Sequence, residues 1–253
     1  MIETKMENDK AWETLFEKYD VLNYIDKFGQ FKISTAQMDQ FGDSKNMVSI
    51  YHSTDLPQIF SDEKLSILPV TKNDYIISHF ESHHKLESKT QDIIHTSIPK
   101  YIQSLNFNEF TNKLVILNRA LASGIIEEFT EDSNIKQTFR GFMKTGEFNF
   151  TIKSKNDSLQ YIRVENAEIK VDAIYEGLKY VSLFKVEIDS YEDFMIGQFY
   201  YPYRTCCNNI NKETKFIYLE YTGNVYSLYE YEFQELNNYN SISLVKQKNY
   251  VID

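Results

Sequence analysis

The apolar residues of this chain change their spacing once, and that change limits the folds open to it. Up to Phe129 they recur at three and four. Trp12, Leu15, Phe16, Tyr19, Leu22, Ile25 and Phe28 predict one amphipathic helix closed by Gly29, and Leu114, Leu117, Leu121, Ile125 and Ile126 predict another over Asn112–Phe129. From Phe139 onward they fall at every second position, through Phe148, Phe150 and Ile152, Tyr161–Val164, Ile169–Ile174 and Tyr180–Ile188, the period of antiparallel strands in one sheet. Further strands are expected at Phe216–Tyr221, Val225–Phe233 and Ser241–Val245. Helices followed by strands make this an α/β (α+β) chain.

Two units are expected. Ser34 offers a hydroxyl N-cap for a short helix to Phe41, and Gly42-Asp43-Ser44 is the turn before a helix over Lys45–Tyr51. Leu65–Leu68 and Tyr75–Phe80 then read as a hairpin, so residues 1–86 have the element order of a winged helix. The polar stretch Glu87–Lys100, interrupted by Pro99, opens a second unit over 87–253. In it, Asp189–Asp193 is expected to cap a helix from Phe194 to Tyr200 that Pro202 stops.

Charge and cysteine usage narrow the setting. With 27 Lys+Arg against 37 Asp+Glu the chain carries −10, shared equally between the units, so a polyanion partner needs a local basic patch. One exists: Lys136, Arg140, Lys144, Lys153, Lys155 and Arg163 face only Glu147 and Asp157 between positions 136 and 163. Cys206 and Cys207 are adjacent, a spacing suited to neither an ordinary disulfide nor a metal knuckle, which points to a reducing, cytoplasmic setting. The charged start MIETKMENDKAWE has no apolar core, and no stretch reaches the roughly 20 apolar residues of a membrane span. The run His79-Phe-Glu-Ser-His-His84 lacks a further ligand at a diagnostic spacing and reads as a solvent-exposed loop.

Candidate chemistry is densest in Glu168-Ile-Lys170-Val-Asp172 and Leu183-Phe-Lys185-Val-Glu187. On strands, alternation puts Glu168, Lys170 and Asp172 on one face and Lys185 and Glu187 on one face of the next. Carboxylates beside an ammonium suit phosphodiester hydrolysis, because they hold Mg²⁺ while the ammonium faces the water or the phosphate. A solvated face laced with cross-strand ion pairs gives the same spacing.

The run Asp172-Ala-Ile-Tyr-Glu-Gly, then Lys-Val-Glu-Ile-Asp, then Glu192-Asp-Phe-Met-Ile-Gly-Gln-Phe-Tyr-Tyr-Pro-Tyr-Arg204 resembles type II restriction endonucleases of the PD-(D/E)xK nuclease superfamily. Ile33-Ser-Thr-Ala-Gln, Leu56-Pro-Gln-Ile-Phe, Leu65-Ser-Ile-Leu-Pro, Tyr75-Ile-Ile-Ser-His-Phe and Phe139-Arg-Gly-Phe-Met extend the likeness over residues 20–245. It departs where the family pattern has Glu-x-Lys and this chain has Lys185-Val-Glu187, where Lys170 replaces an acid, and where Gly197 replaces the arginine before Gln198.

The resemblance implies a winged-helix-like recognition module ahead of a restriction-endonuclease-like mixed sheet flanked by helices. It implies Mg²⁺-dependent cleavage of double-stranded DNA, with Mn²⁺ as a substitute, by a homodimer. Asp172 is then the principal metal ligand, Glu187 the second, Lys185 the cation at the water or phosphate, and Gln198 a partner of a metal-bound water; Glu165, Glu168 and Glu176 are alternative ligands. Arg204 is expected on a phosphate, Lys45, Asn46 and Ser49 as the few readers of the first unit, and the six cations of the basic patch on the DNA backbone. The reversed motif leaves open a protein that keeps the nuclease scaffold as a DNA-binding or protein-interaction module without cutting.

Overall fold

The computed structural model describes residues 2–87, 90–105 and 112–253. Its first unit begins with α1 (Ile2–Tyr19) and α2 (Val21–Phe28). The single helix expected over 12–28 is two, because Asp20 takes a left-handed conformation (φ 51°) between them, and Gly29 (φ 85°) closes the second. Then follow β1 (Phe31–Ser34), α3 (Thr35–Met38), α4 (Ser44–Met47), α5 (Gln58–Glu63), β2 (Ser66–Pro69) and β3 (Asp74–Ser78). Ser34 caps α3 in a box with Gln37, as its hydroxyl predicts. The strands form an antiparallel sheet in the order β1-β3-β2.

The helix expected over Lys45–Tyr51 ends at Met47, because Asp55 Oδ2 accepts from the backbone N–H of both Tyr51 and His52 at 3.0 Å and draws the chain into a turn. Trp12, fully buried, centres this unit's core: its ring meets Phe60 edge-on at 4.8 Å and its indole N–H donates to Met47 O.

The second unit is layered. Seven strands run in the order β5-β14-β13-β12-β10-β9-β6, formed by β5 (Ile93–Thr96), β6 (Lys136–Lys144), β9 (Glu168–Glu176), β10 (Tyr180–Glu187), β12 (Glu213–Thr222), β13 (Val225–Phe233) and β14 (Ile242–Ile252). β10 and β12 are parallel, and α8 (Gly197–Asn209) makes the crossover between them. On one face lie α6 (Lys113–Ala122) and α7 (Ile125–Thr130), whose Ile116, Leu117 and Phe129 pack on Tyr175, Phe184 and Ile217. They are two helices where one was expected, because Gly124 (φ 81°) breaks the run. The other face is covered by α8 and by a separate hairpin, β7 (Glu147–Lys153) with β8 (Leu159–Glu165). That hairpin was expected within the main sheet. Its inward Phe148, Phe150, Ile162 and Val164 instead pack with Tyr200 and Tyr201 of α8.

Two further expectations are corrected. Asp193–Met195 is a short strand, β11, paired with β4 (His83–Lys85), so the histidine run is partly strand, with the His84 ring against Phe194 and Tyr231. Helix α8 passes through Pro202 to Asn209. The proline removes one backbone bond, at a cost of about 3 kcal/mol, and burial of Phe199, Tyr200, Tyr201 and Cys206 offsets it.

Trp12→Ala is expected to destabilise the fold by about 3–5 kcal/mol, read as a lower midpoint in urea unfolding.

Candidate functional site

The site forms where two strands part. β9 and β10 pair from Glu176/Val181 to Ala173/Phe184, and there the ladder ends. Beyond it β9 follows its other neighbour, β6, as far as Glu168/Lys144, with register shifts between Gln137 and Phe139 and between Phe139 and Gly141. Asp172 fills the opening: its Oδ2 accepts the N–H of Val186 at 2.9 Å.

Lys185 and Glu187 project into the same opening. Lys185 Nζ stands 3.8 Å from Asp172 Oδ2 and 2.9 Å from Glu187 Oε1. The strand alternation read from the sequence therefore does bring the three together. Glu168 and Lys170 line the same cleft, of about 820 Å³, whose opposite wall is the first unit, with Ser49, Tyr51, His52 and Tyr75.

Two residues of the site carry no sequence signal, being 74 and 135 positions from Glu187. Lys113, the first residue of α6, places Nζ 2.8 Å from Glu187 Oε2 and 4.0 Å from Asp172 Oδ2. His52, only 3% exposed, comes from the first unit. Its Nδ1 is 2.6 Å from the carbonyl of Asp193, which only accepts, so Nδ1 carries a proton and Nε2 faces Glu187 Oε1 at 3.5 Å. The ring stacks on Tyr191 at 3.6 Å. Met195 N–H donates to Tyr51 O and Ser53 N–H to Asp193 Oδ1, so residues 51–53 are fastened along β11.

Burial raises the carboxyl pKa of Glu187, but the adjacent His52 ring and the ammonium groups of Lys185 and Lys113 more than reverse this and hold it far below the ordinary range. Burial likewise works against the charge of Lys185, and Asp172 and Glu187 raise its pKa above the usual value.

The remaining predicted residues separate. Gln198, on α8, lines the cleft, and both polar atoms of its side chain are buried without a hydrogen-bond partner among the described residues. Gly197 is closely packed: a Cβ there would lie 3.1 Å from Tyr239 Oη, so the arginine of the family pattern would need that side chain to give way. Lys45 and Ser49 are exposed on the cleft wall, and Asn46 is exposed beside them. Lys136, Arg140 and Lys144 occupy alternate exposed positions of β6, an edge strand whose Phe142 lines the cleft. Lys153, Lys155 and Arg163 lie on the hairpin instead, and Arg163 pairs with Glu165 at 2.5 Å and Glu147 at 3.9 Å. The patch continuous in sequence is thus two surfaces.

Arg204 is a correction. It is 6% exposed, donates to the carbonyls of Asn149 and Leu236, and lies over the Phe148 ring, so it fastens α8 to the hairpin and is not among the residues lining the cleft.

The fold and site define an α+β protein with a buried carboxylate–ammonium cluster at the mouth of a splayed sheet. The chain belongs to the family described as "Domain of unknown function (DUF6997)", whose model matches residues 78–251; a second model, "Domain of unknown function (DUF6996)", matches 9–77. No curated protein and no solved structure matches it. Among the described residues no helix is long and apolar enough to cross a membrane.

Because the folded-state pKa of Glu187 is depressed, its contribution to stability is complete above the ordinary value of 4.5 and is lost as pH falls through the depressed value. Urea unfolding between about pH 6 and about pH 2 is expected to show an acid loss that Glu187→Gln diminishes. Arg204→Ala is expected to lower stability by about 2–4 kcal/mol, through three lost carbonyl and hydroxyl contacts and an emptied packing site, and to shift the thermal midpoint down.

Proposed function

We propose that the chain is a Mg²⁺-dependent nuclease that hydrolyses phosphodiester bonds in double-stranded DNA, in the manner of the type II restriction endonucleases it resembles. The observation that carries this reading is the meeting of Asp172, Lys185 and Glu187 at the parting of β9 and β10, on the floor of the cleft.

The donor set fits the metal. Mg²⁺ takes one or two protein carboxylates and completes its shell with water and phosphate. Asp172 and Glu187 both lie within 4.0 Å of the same ammonium nitrogens, so positive charge already sits between them. Asp172 and Glu187 would hold the ion, Mg²⁺ or Mn²⁺, which supplies a more acidic water and neutralises charge gathering on the phosphate. Lys185 keeps its ammonium between the carboxylates in position to orient that water. Gln198 offers to the water or a phosphate oxygen an amide that has no hydrogen-bond partner among the described residues. The reversed order Lys185-Val-Glu187 is compatible with this, because residues two apart share a strand face.

In the same reading the first unit acts as a winged-helix-like recognition module with Lys45, Asn46 and Ser49 toward the bases. The second is a PD-(D/E)xK-like nuclease domain whose β6 cations hold the backbone. Two copies act about a two-fold axis on the two strands in the cytoplasm. A second reading has its own support: both oxygens of Glu187 are engaged, by Lys185 and His52 on one side and Lys113 on the other. A protein arranged so would bind DNA or a protein partner without cutting.

The test is cleavage of plasmid and phage DNA with Mg²⁺ or Mn²⁺. The wild type is expected to cut, and Asp172→Ala and Glu187→Ala to lose at least about 100-fold in rate. DNA retention without cutting under both metals would establish the second reading.

A further inference from the structure

Lys113 stands apart from the other cations of the site. Glu187 divides its oxygens: Oε1 faces Lys185 at 2.9 Å and His52 at 3.5 Å, while Oε2 faces Lys113 at 2.8 Å. Lys185 and His52 are enclosed, their side chains 14% and 4% exposed, whereas the Lys113 side chain is 36% exposed. Lys113 alone among the three has room to swing toward solvent. The start of α6 does not depend on its charge, because Asn112 Oδ1 caps the helix by accepting the N–H of Leu114 at 2.8 Å.

We propose that Lys113 is a resident counter-cation that competes with a divalent metal for Glu187 Oε2 and so sets the affinity of the site for that metal. This rests on Asp172 and Glu187 being the metal ligands. A Mg²⁺–oxygen bond of about 2.0–2.1 Å and an ammonium hydrogen bond on the same oxygen place two cations close together, and their repulsion makes the two occupants exclusive. The contact Lys113 gives up is charge-assisted and half-shielded from water, so the exchange has a cost that a neutral side chain would remove. Without metal, Lys113 partners the second oxygen of a buried carboxylate whose first oxygen is met by Lys185 and His52. With metal, its ammonium is released at the mouth of the cleft, among the groups a phosphate would meet.

Mn²⁺ is the probe, titrated into the full-length protein by calorimetry and by the electron paramagnetic resonance of the free ion. Lys113→Met and Lys113→Gln are each compared with the wild type, and each is checked by thermal melting. Both variants are expected to bind Mn²⁺ about ten-fold more tightly, the equivalent of one charge-assisted contact no longer broken. The gain should vanish when Asp172→Asn is added. A merely structural lysine would leave the affinity unchanged or weaken it, and either result in the variant that remains folded overturns the competition while leaving the metal site standing. If Mn²⁺ binds neither the wild type nor the variants, the metal reading falls and this inference with it.

Discussion

The hydrogen bond from the N–H of Val186 to Asp172 is the contact on which the site depends. Where β9 leaves β10, backbone groups of β10 lose their partners, and a buried unpaired N–H costs about 1–3 kcal/mol. Asp172 supplies the missing acceptor, so the gap in the sheet is held open by the same carboxylate that lines it. Lys185 and Glu187 enter this gap because β10 continues alone on that side, still paired with β12 on the other through Glu187/Glu220. The site thus arises from interrupting a sheet, and the interruption is satisfied from within.

The two units form one structure around this gap. The segment 51–53 is fastened to β11, which leads directly into α8, so the turn that carries His52 and the helix that carries Gln198 have a common anchor. Tyr201 Oη donates to Pro69 O, and Met195 of the second unit is buried in the core of the first. The cleft wall is therefore set by contacts as specific as those inside either unit, although the two family models meet between residues 77 and 78.

Electrostatically the cluster is unusual for a chain of net charge −10. Its buried carboxylates are matched by ammonium groups from two elements and an imidazole from a third, which lowers the cost of burying Glu187. The acidic surplus lies elsewhere. The basic residues 136–163, by contrast, are spread over an edge strand and a separate hairpin, since a turn between β6 and β7 sends them to different layers.

What the sequence determined by itself are the features that depend on neighbours along the chain. The period-two spacing marked β9 and β10 and put Lys185 and Glu187 on one face; the Ser34 cap and the Gly29 stop followed from local backbone chemistry. Asp172, Lys185 and Glu187 were legible in this way, whereas Gln198 was reached only through the family resemblance; each of the four lines the cleft. Tertiary structure decided what depends on distant partners. Pro202 was read as a stop, but aromatic burial on both sides of α8 outweighs one lost hydrogen bond. Arg204 was read as a phosphate contact, but carbonyls 32 and 55 residues away claim it. His52 and Lys113 were invisible, because an isolated histidine and a lysine at a helix start acquire meaning only when the fold sets them against Glu187.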